Sequence, residues 1–245
     1  MTDVAFELAG RVAVIRIHGS RLNVYRRATH ERLCRAMLRF LRDDSLHAAV
    51  ITTPEGQSWS AGDDIKEFDQ PWGDEPDWSE VLLCTPRDKP VVAAVRDYCL
   101  GQGLVYLLRL TDIRFATPGA QFGFPEIRFG VGGAAETTGL SGEIPATVAR
   151  FLGLTGDLLN AEQAASVHLV NGVVEGAELE ATAVETARRI AAHPLHGLRA
   201  EMSPAARIQG GRDPFAQVAQ FQATWHAFQL RSAGSDLNDL GERDA

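Results

Sequence analysis

Two short runs early in the chain carry no charge and almost no polarity: Ala48-Ala49-Val50-Ile51-Thr52-Thr53 and Pro90-Val91-Val92-Ala93-Ala94-Val95. Alternating apolar and polar residues mark a strand with one wet face. Unbroken apolar character over five or six residues marks a strand covered on both faces. Two such strands call for helices on either side of a parallel sheet, so the fold class they impose is α/β. Each run is followed by small residues where the chain must turn sharply. These are Ser58-Trp59-Ser60-Ala61-Gly62-Asp63-Asp64-Ile65 after the first, and Leu100-Gly101-Gln102-Gly103 after the second.

The remaining periodicity fits around this frame. Residues 4–8 and 11–17 read as strands joined through Ala9-Gly10, a hairpin turn. Residues 27–42 place Leu33, Met37, Phe40 and Leu41 at helical spacing with arginines between, an amphipathic helix. A polar stretch over 67–80, with Pro71, Gly73 and Pro76, reads as a mobile loop leading into a helix over 78–83. An apolar helix is expected through Leu110, then a strand over 112–116, an extended piece over 122–129 and a strand over 169–174. From about Ala146 the chain reads as mostly helical, with 161–167 and 179–192 the clearest segments. Phe215 to Leu230, with Val218, Phe221, Trp225 and Phe228, is a further amphipathic helix. No linker divides these strand–strand–helix units from one another.

Composition removes several classes of function. A net charge of −8 leaves no phosphate-neutralising surface, so nucleic acid is not an expected partner. No uncharged apolar run approaches the roughly 18 to 20 residues that cross a bilayer, and no basic-then-apolar leader is visible, so no membrane partner is expected. Cys34, Cys84 and Cys99 are odd in number and widely spaced, which suits small buried hydrophobes in a reducing, cytoplasmic compartment. His193 and His196 flank Pro194 without a third ligand, so no metal site is expected. Gly101-Gln102-Gly103 lacks the third glycine of a dinucleotide fingerprint. Only two of the 24 basic residues, Lys66 and Lys89, are lysines.

The two glycine turns share a chemical possibility. Backbone N–H groups in a tight turn, or at a helix N-terminus, have no internal acceptor. Two of them converging on one point stabilise charge developing on a carbonyl oxygen. The plainer alternative is that each turn merely allows close packing.

Order and spacing then carry a resemblance. Ser60-Ala61-Gly62-Asp63-Asp64-Ile65-Lys66-Glu67-Phe68 resembles the SAGADLKE-type segment of the enoyl-CoA hydratase/isomerase (crotonase) superfamily. Lys89 to Val95, Tyr98-Cys99-Leu100-Gly101-Gln102-Gly103, Asp112 to Ala116 and Ala120 to Ile127 resemble its following blocks in order. Leu154-Thr155-Gly156 to Ala164 and Leu169 to Val174 continue the likeness, which covers roughly residues 4 to 195. The resemblance implies a spiral of ββα repeats over 1–190 and a C-terminal helical region over 191–245 that packs in a homotrimer or a hexamer made of two trimers. It implies an acyl-CoA substrate, coenzyme A entering as part of the thioester and no tightly bound cofactor. The thioester oxygen would be held by the N–H groups of Asp63 and Gln102, an enolate forming behind it. The family usually has glycine where this chain has Gln102.

The acids depart from the family. Hydratases of this kind use two glutamates. The second is present as Glu126, after Pro125, although a glutamate there can also cap a helix or pair with Arg128. The first falls at Val105, or at Tyr106 when counted back from Asp112, and neither is a carboxylate. The expected chemistry is therefore isomerase-, decarboxylase- or hydrolase-like, with Glu126 as acid/base. Glu136 is a candidate second carboxylate or a surface acid, and Tyr106 a hydrogen-bond donor or a core aromatic. A non-catalytic protein of the same fold that binds acyl-CoA or a partner is the rival reading. For coenzyme A the resemblance marks Arg21, Ala61, Asp63, Asp64, Ile65, Lys66, Gln102 and Gly103, with the 67–80 loop and its Trp72 and Trp78 walling the acyl group. The acidic, lysine-free tail 232–245 departs from the basic tail the family usually has.

Overall fold

A computed structural model describes residues 3–67, 76–130 and 139–202. Its larger sheet has six strands. β1 (Asp3–Ala9) and β2 (Val12–His18) form the expected hairpin, with Gly10 at φ +69° in the turn. β2 then runs parallel to β3 (Ala48–Thr52), β3 to β4 (Val91–Val95), β4 to β6 (Ile113–Ala116) and β6 to β9 (Gly172–Val173). A second sheet joins β5 (Tyr98–Leu100), β7 (Gln121–Gly123) and β8 (Leu159–Asn160). The helices are α1 (Arg27–Arg42), α2 (Trp78–Cys84), α3 (Gln102–Leu110), α4 (Leu140–Glu143), α5 (Ala146–Thr155), α6 (Ala161–Ser166), α7 (Gly176–Ala191) and α8 (Leu195–Met202).

Both apolar runs are covered on both faces, as their composition requires. Val12, Ala48, Val50, Val92 and Ala94 meet one face of α7, a stripe of Leu179, Ala183, Ala187 and Ala191 at four-residue spacing. Their neighbours Ala13, Ile15, Ala49, Ile51, Ala93 and Val95 point the other way, into a core shared with Leu33, Met37 and Phe40 of α1 and with Leu104 and Leu107 of α3. Cys34 and Cys99 are buried there, and burial pushes the Cys34 thiol up to about 12. Trp78 also lies in this core, at the N-terminus of α2. Trp72 lies outside the described residues.

The two lysines occupy opposite settings. Lys66 is exposed. Lys89 is fully buried, and its Nζ donates to the carbonyls of Phe40 (3.2 Å) and Asp43 (2.8 Å). Those carbonyls end α1 and have no intrahelical donor, so the ammonium caps the helix and complements its dipole. Burial holds the Lys89 pKa below its ordinary value. Lys89→Ala is expected to lower stability by about 2 to 4 kcal/mol in urea denaturation, from a cavity and the abandoned Phe40 carbonyl, without changing KM for a thioester.

Two segments differ from their sequence reading. The piece over 122–129 is extended only through β7. Pro125–Phe129 then turns into a 3-10 helix, ended by Gly130 at φ +81°. Of 169–174 only Gly172–Val173 pairs as a strand, because Leu169 N–H is drawn back to the Ala164 carbonyl (2.8 Å) at the end of α6.

Candidate active site

Four strands of the larger sheet, β2, β3, β4 and β6, each hand the chain to a short segment at the C-terminal end, and these segments stack beside one another. After β2 comes Tyr25, after β3 Ser60–Asp63, after β4 the strand β5, and after β6 the strand β7. Tyr25 bridges Asp63 and Ser60 bridges Cys99, both parallel, while β5 pairs with β7 in parallel. The ladder closes through Tyr25 N–H to Gly62 O (2.9 Å), Leu100 N–H to Ser60 O (2.9 Å) and Gly101 N–H to Gly123 O (3.1 Å). Repetition of strand, short strand and helix is what carries the two glycine turns to one place.

How close they come is set by what glycine lacks. A Cβ on Gly62 (φ +100°) would lie 3.4 Å from the Leu100 carbonyl oxygen and 3.7 Å from the Gln102 nitrogen. A Cβ on Gly103 would lie 2.9 Å from both the Cβ and the carbonyl oxygen of Ser60. Gly103 is therefore a packing position, buried against Ser60, and its carbonyl accepts from the Trp59 indole (2.8 Å). Among the described residues, neither the Asp63 nor the Gln102 N–H donates to a backbone carbonyl. Gln102 opens α3, where an N–H has no intrahelical acceptor. Two unengaged donors on adjoining turns are what an oxyanion site requires.

Glu126 stands over the second turn. A Cβ on Gly101 (φ +51°, ψ −125°) would come within 2.5 Å of its Oε1. Its Oε2 is buried without a hydrogen-bond partner among the described residues. Arg128 pairs with Asp157 instead (3.1 Å), so the ion-pair alternative for Glu126 does not hold. Burial, with a further contribution from the charge of Asp63, raises the Glu126 pKa. An acid so placed retains its proton more readily and is a stronger base once ionised.

Tyr106 sits in the core on α3, and its hydroxyl lies 2.6 Å from Nδ1 of His30, a buried residue of α1. The Gln102 side chain lies beside the same hydroxyl, and desolvation pushes the phenol pKa well up. His30 Nε2 is in turn 3.3 Å from Asp63 Oδ1. Sequence reading passed over His30, although its place three residues before Leu33 and seven before Met37 puts it on the apolar face of α1.

The segment marked for the nucleotide is braced from α1. Asp64 accepts from Arg26 Nε (3.0 Å) and from the Lys66 N–H (3.2 Å), and Glu67 accepts from the Arg27 N–H (2.8 Å) at the helix N-terminus. The Asp64 carboxylate is thus spent on holding the turn. Ala61 N–H donates to Leu22 O and Ser58 N–H to Arg21 O, setting Arg21 along the same segment. The side chains of Arg21, Ile65 and Lys66 are exposed. Glu136 and the helix expected over 215–230 lie outside the described residues.

The comparisons with known proteins agree with this geometry. A family model described as enoyl-CoA hydratase/isomerase matches residues 7–227. A short-chain-enoyl-CoA hydratase of Clostridium acetobutylicum is 31% identical over 198 residues, 78% of this chain and 76% of its own. A (7aS)-7a-methyl-1,5-dioxo-2,3,5,6,7,7a-hexahydro-1H-indene-carboxyl-CoA hydrolase of Mycobacterium tuberculosis is 34% identical over 162 residues, 62% of this chain and 63% of its own. The crystal structure of an enoyl-CoA hydratase/carnithine racemase from Magnetospirillum magneticum superposes with a TM-score of 0.76 at 25% identity, covering 87% of this chain and 82% of that one. Since the family match spans both glycine turns and the Pro125-Glu126 segment, this chain belongs to the enoyl-CoA hydratase/isomerase family, and its fold is the crotonase fold.

Proposed function

We propose that the chain is an acyl-CoA thioester enzyme that holds an enolate in the backbone donors of Asp63 and Gln102 and moves protons with Glu126. The observation that carries this reading is the Glu126 carboxylate, packed over Gly101 with one oxygen buried and, among the described residues, unpartnered. A buried carboxyl group with no partner is costly to fold and is kept where its proton is used. Polarising the thioester oxygen acidifies the α-carbon, and Glu126 takes or returns that proton. One glutamate suffices for double-bond isomerisation, decarboxylation or thioester hydrolysis, and α3 offers Val105 or Tyr106, neither a carboxylate, where a hydratase of the two-glutamate type needs an acid. Assembly as a trimer or a hexamer, with a ββα core over 1–190 and a helical region over 191–245, belongs to the same reading, as does a cytoplasmic location.

Mass-spectrometric screening of a thioester panel with β-keto, malonyl-type and unsaturated chains tests the proposal. Conversion of a member that is lost in Glu126→Gln supports it; binding without conversion of any member supports the non-catalytic rival. Coenzyme A would meet Arg21 and Lys66 at the edge of the Ser58–Glu67 segment, its phosphates paired with these exposed cations. Lys66→Ala is expected to raise the Kd for an acyl-CoA on the order of fivefold in calorimetry, less at high salt, and to leave kcat unchanged.

A further inference from the structure

The site holds a second carboxylate that the missing glutamate does not account for. In the SAGADLKE-type segment the residue aligned with Asp63 is alanine, so the family needs only its N–H. Here that residue brings an aspartate side chain to the same turn. Among the described residues its Oδ1 is buried and accepts no hydrogen bond, although His30 Nε2 lies 3.3 Å away, while the side chain as a whole is 29% exposed. Asp63 follows Gly62, whose Cβ position would touch the Leu100–Gln102 turn, and Glu126 Oε1 rests on Gly101 of that turn. The two carboxyl groups therefore flank the same pair of N–H donors, near enough for the charge on Asp63 to act on Glu126.

We propose that the Asp63 carboxylate is the second acid–base group of this site, with His30 its positioning residue, held in turn by Tyr106 of α3. The Tyr106 hydroxyl (2.6 Å) and Asp63 Oδ1 (3.3 Å) approach opposite nitrogens of the one imidazole, so the ring stands between the phenol and the carboxylate. The inference rests on the preceding reading of Glu126 and the two N–H donors, and it extends the reactions available to the addition of water across an α,β-unsaturated thioester. Asp63 takes a proton from water as the water oxygen bonds to C3. The C2–C3 π electrons shift to give an enolate whose oxygen the two N–H groups hold, and Glu126 gives its proton to C2. One water is consumed, Asp63 ends protonated and Glu126 ionised, and exchange with solvent restores both.

Asp63→Ala removes the carboxylate and keeps the N–H, so it separates the two roles of one residue. The probes are crotonyl-CoA, 2-decenoyl-CoA and cinnamoyl-CoA for hydration, and butyryl-CoA in heavy water for α-deuterium uptake. The expected result is hydration of at least one probe by the wild type. That activity should fall about a hundredfold in Asp63→Ala and be partly restored by added formate, a far larger loss than that of α-exchange. His30→Gln should lower kcat for hydration about tenfold at constant KM, clearly more than it lowers α-exchange; a structural role alone would lower both by the same factor. Should Asp63→Ala fail to fold, the isosteric Asp63→Asn carries the same test. Undiminished hydration in the folded variant overturns the proposal. So does a wild type that exchanges α-protons and hydrates no probe, which leaves the Glu126 reading standing, whereas absence of both activities overturns the two together.

Discussion

Gly101→Ala is expected to cut thioester turnover about a thousandfold while lowering stability by only about 2 kcal/mol. Two separate effects meet at that residue. Its backbone, at φ +51° and ψ −125°, lies in a region that only glycine enters freely, so any side chain strains the turn that aims the Gln102 N–H. A methyl group there also takes the space of Glu126 Oε1, 2.5 Å away, and pushes the acid off its station. Gly10→Ala is the control. Gly10 has positive φ too, but open space around it, so its replacement costs similar stability and no activity. Thermal unfolding and kcat measured side by side separate strain from loss of the site.

Glu126→Gln is expected to reduce turnover by about a hundred- to ten-thousandfold and, at neutral pH, to raise Tm. The rise follows from the direction of the pKa shift. Burial disfavours the carboxylate, so the folded pKa lies above the unfolded one. Ionisation therefore begins to cost stability as pH passes the unfolded value, and the full cost is present above the folded one. The glutamine variant escapes that cost at pH 7. At a pH below both values both side chains are neutral and the charge-dependent part of their Tm difference should vanish. A Tm gain independent of pH would place the effect in packing, not in charge.

Much of the fold was legible because the core is two-sided. The unbroken apolar runs at 48–53 and 90–95 fixed β3 and β4, and the arginine-laced stripe fixed α1 at Arg27–Arg42. Short strands escaped. β5 and β8 have three and two residues, too few for a period, and they exist because β7 between them pairs with both. The turn at Pro125–Phe129 did carry a signal, proline at the first position and Gly130 after the last, which outweighs the apolar look of the segment. In the site, small residues announced the two turns, since close approach leaves no room for anything larger. The Asp63 side chain and His30 were illegible for the opposite reason. His30 reaches Tyr106 across 76 residues of sequence, and only the packing of α1 on α3 makes a buried polar residue into a partner.

Exchange of the α-proton is the step nearest to the proposed chemistry, because it needs the two N–H donors and Glu126 and nothing further from the substrate. Wild type and Glu126→Gln are to be incubated with butyryl-CoA in heavy water and the recovered thioester weighed by mass spectrometry. Deuterium entering the α-position with the wild type and falling at least about a hundredfold with the variant is the expected result. Equal uptake by the two proteins, at a rate above the uncatalysed one, would show that Glu126 is not the group that moves the proton.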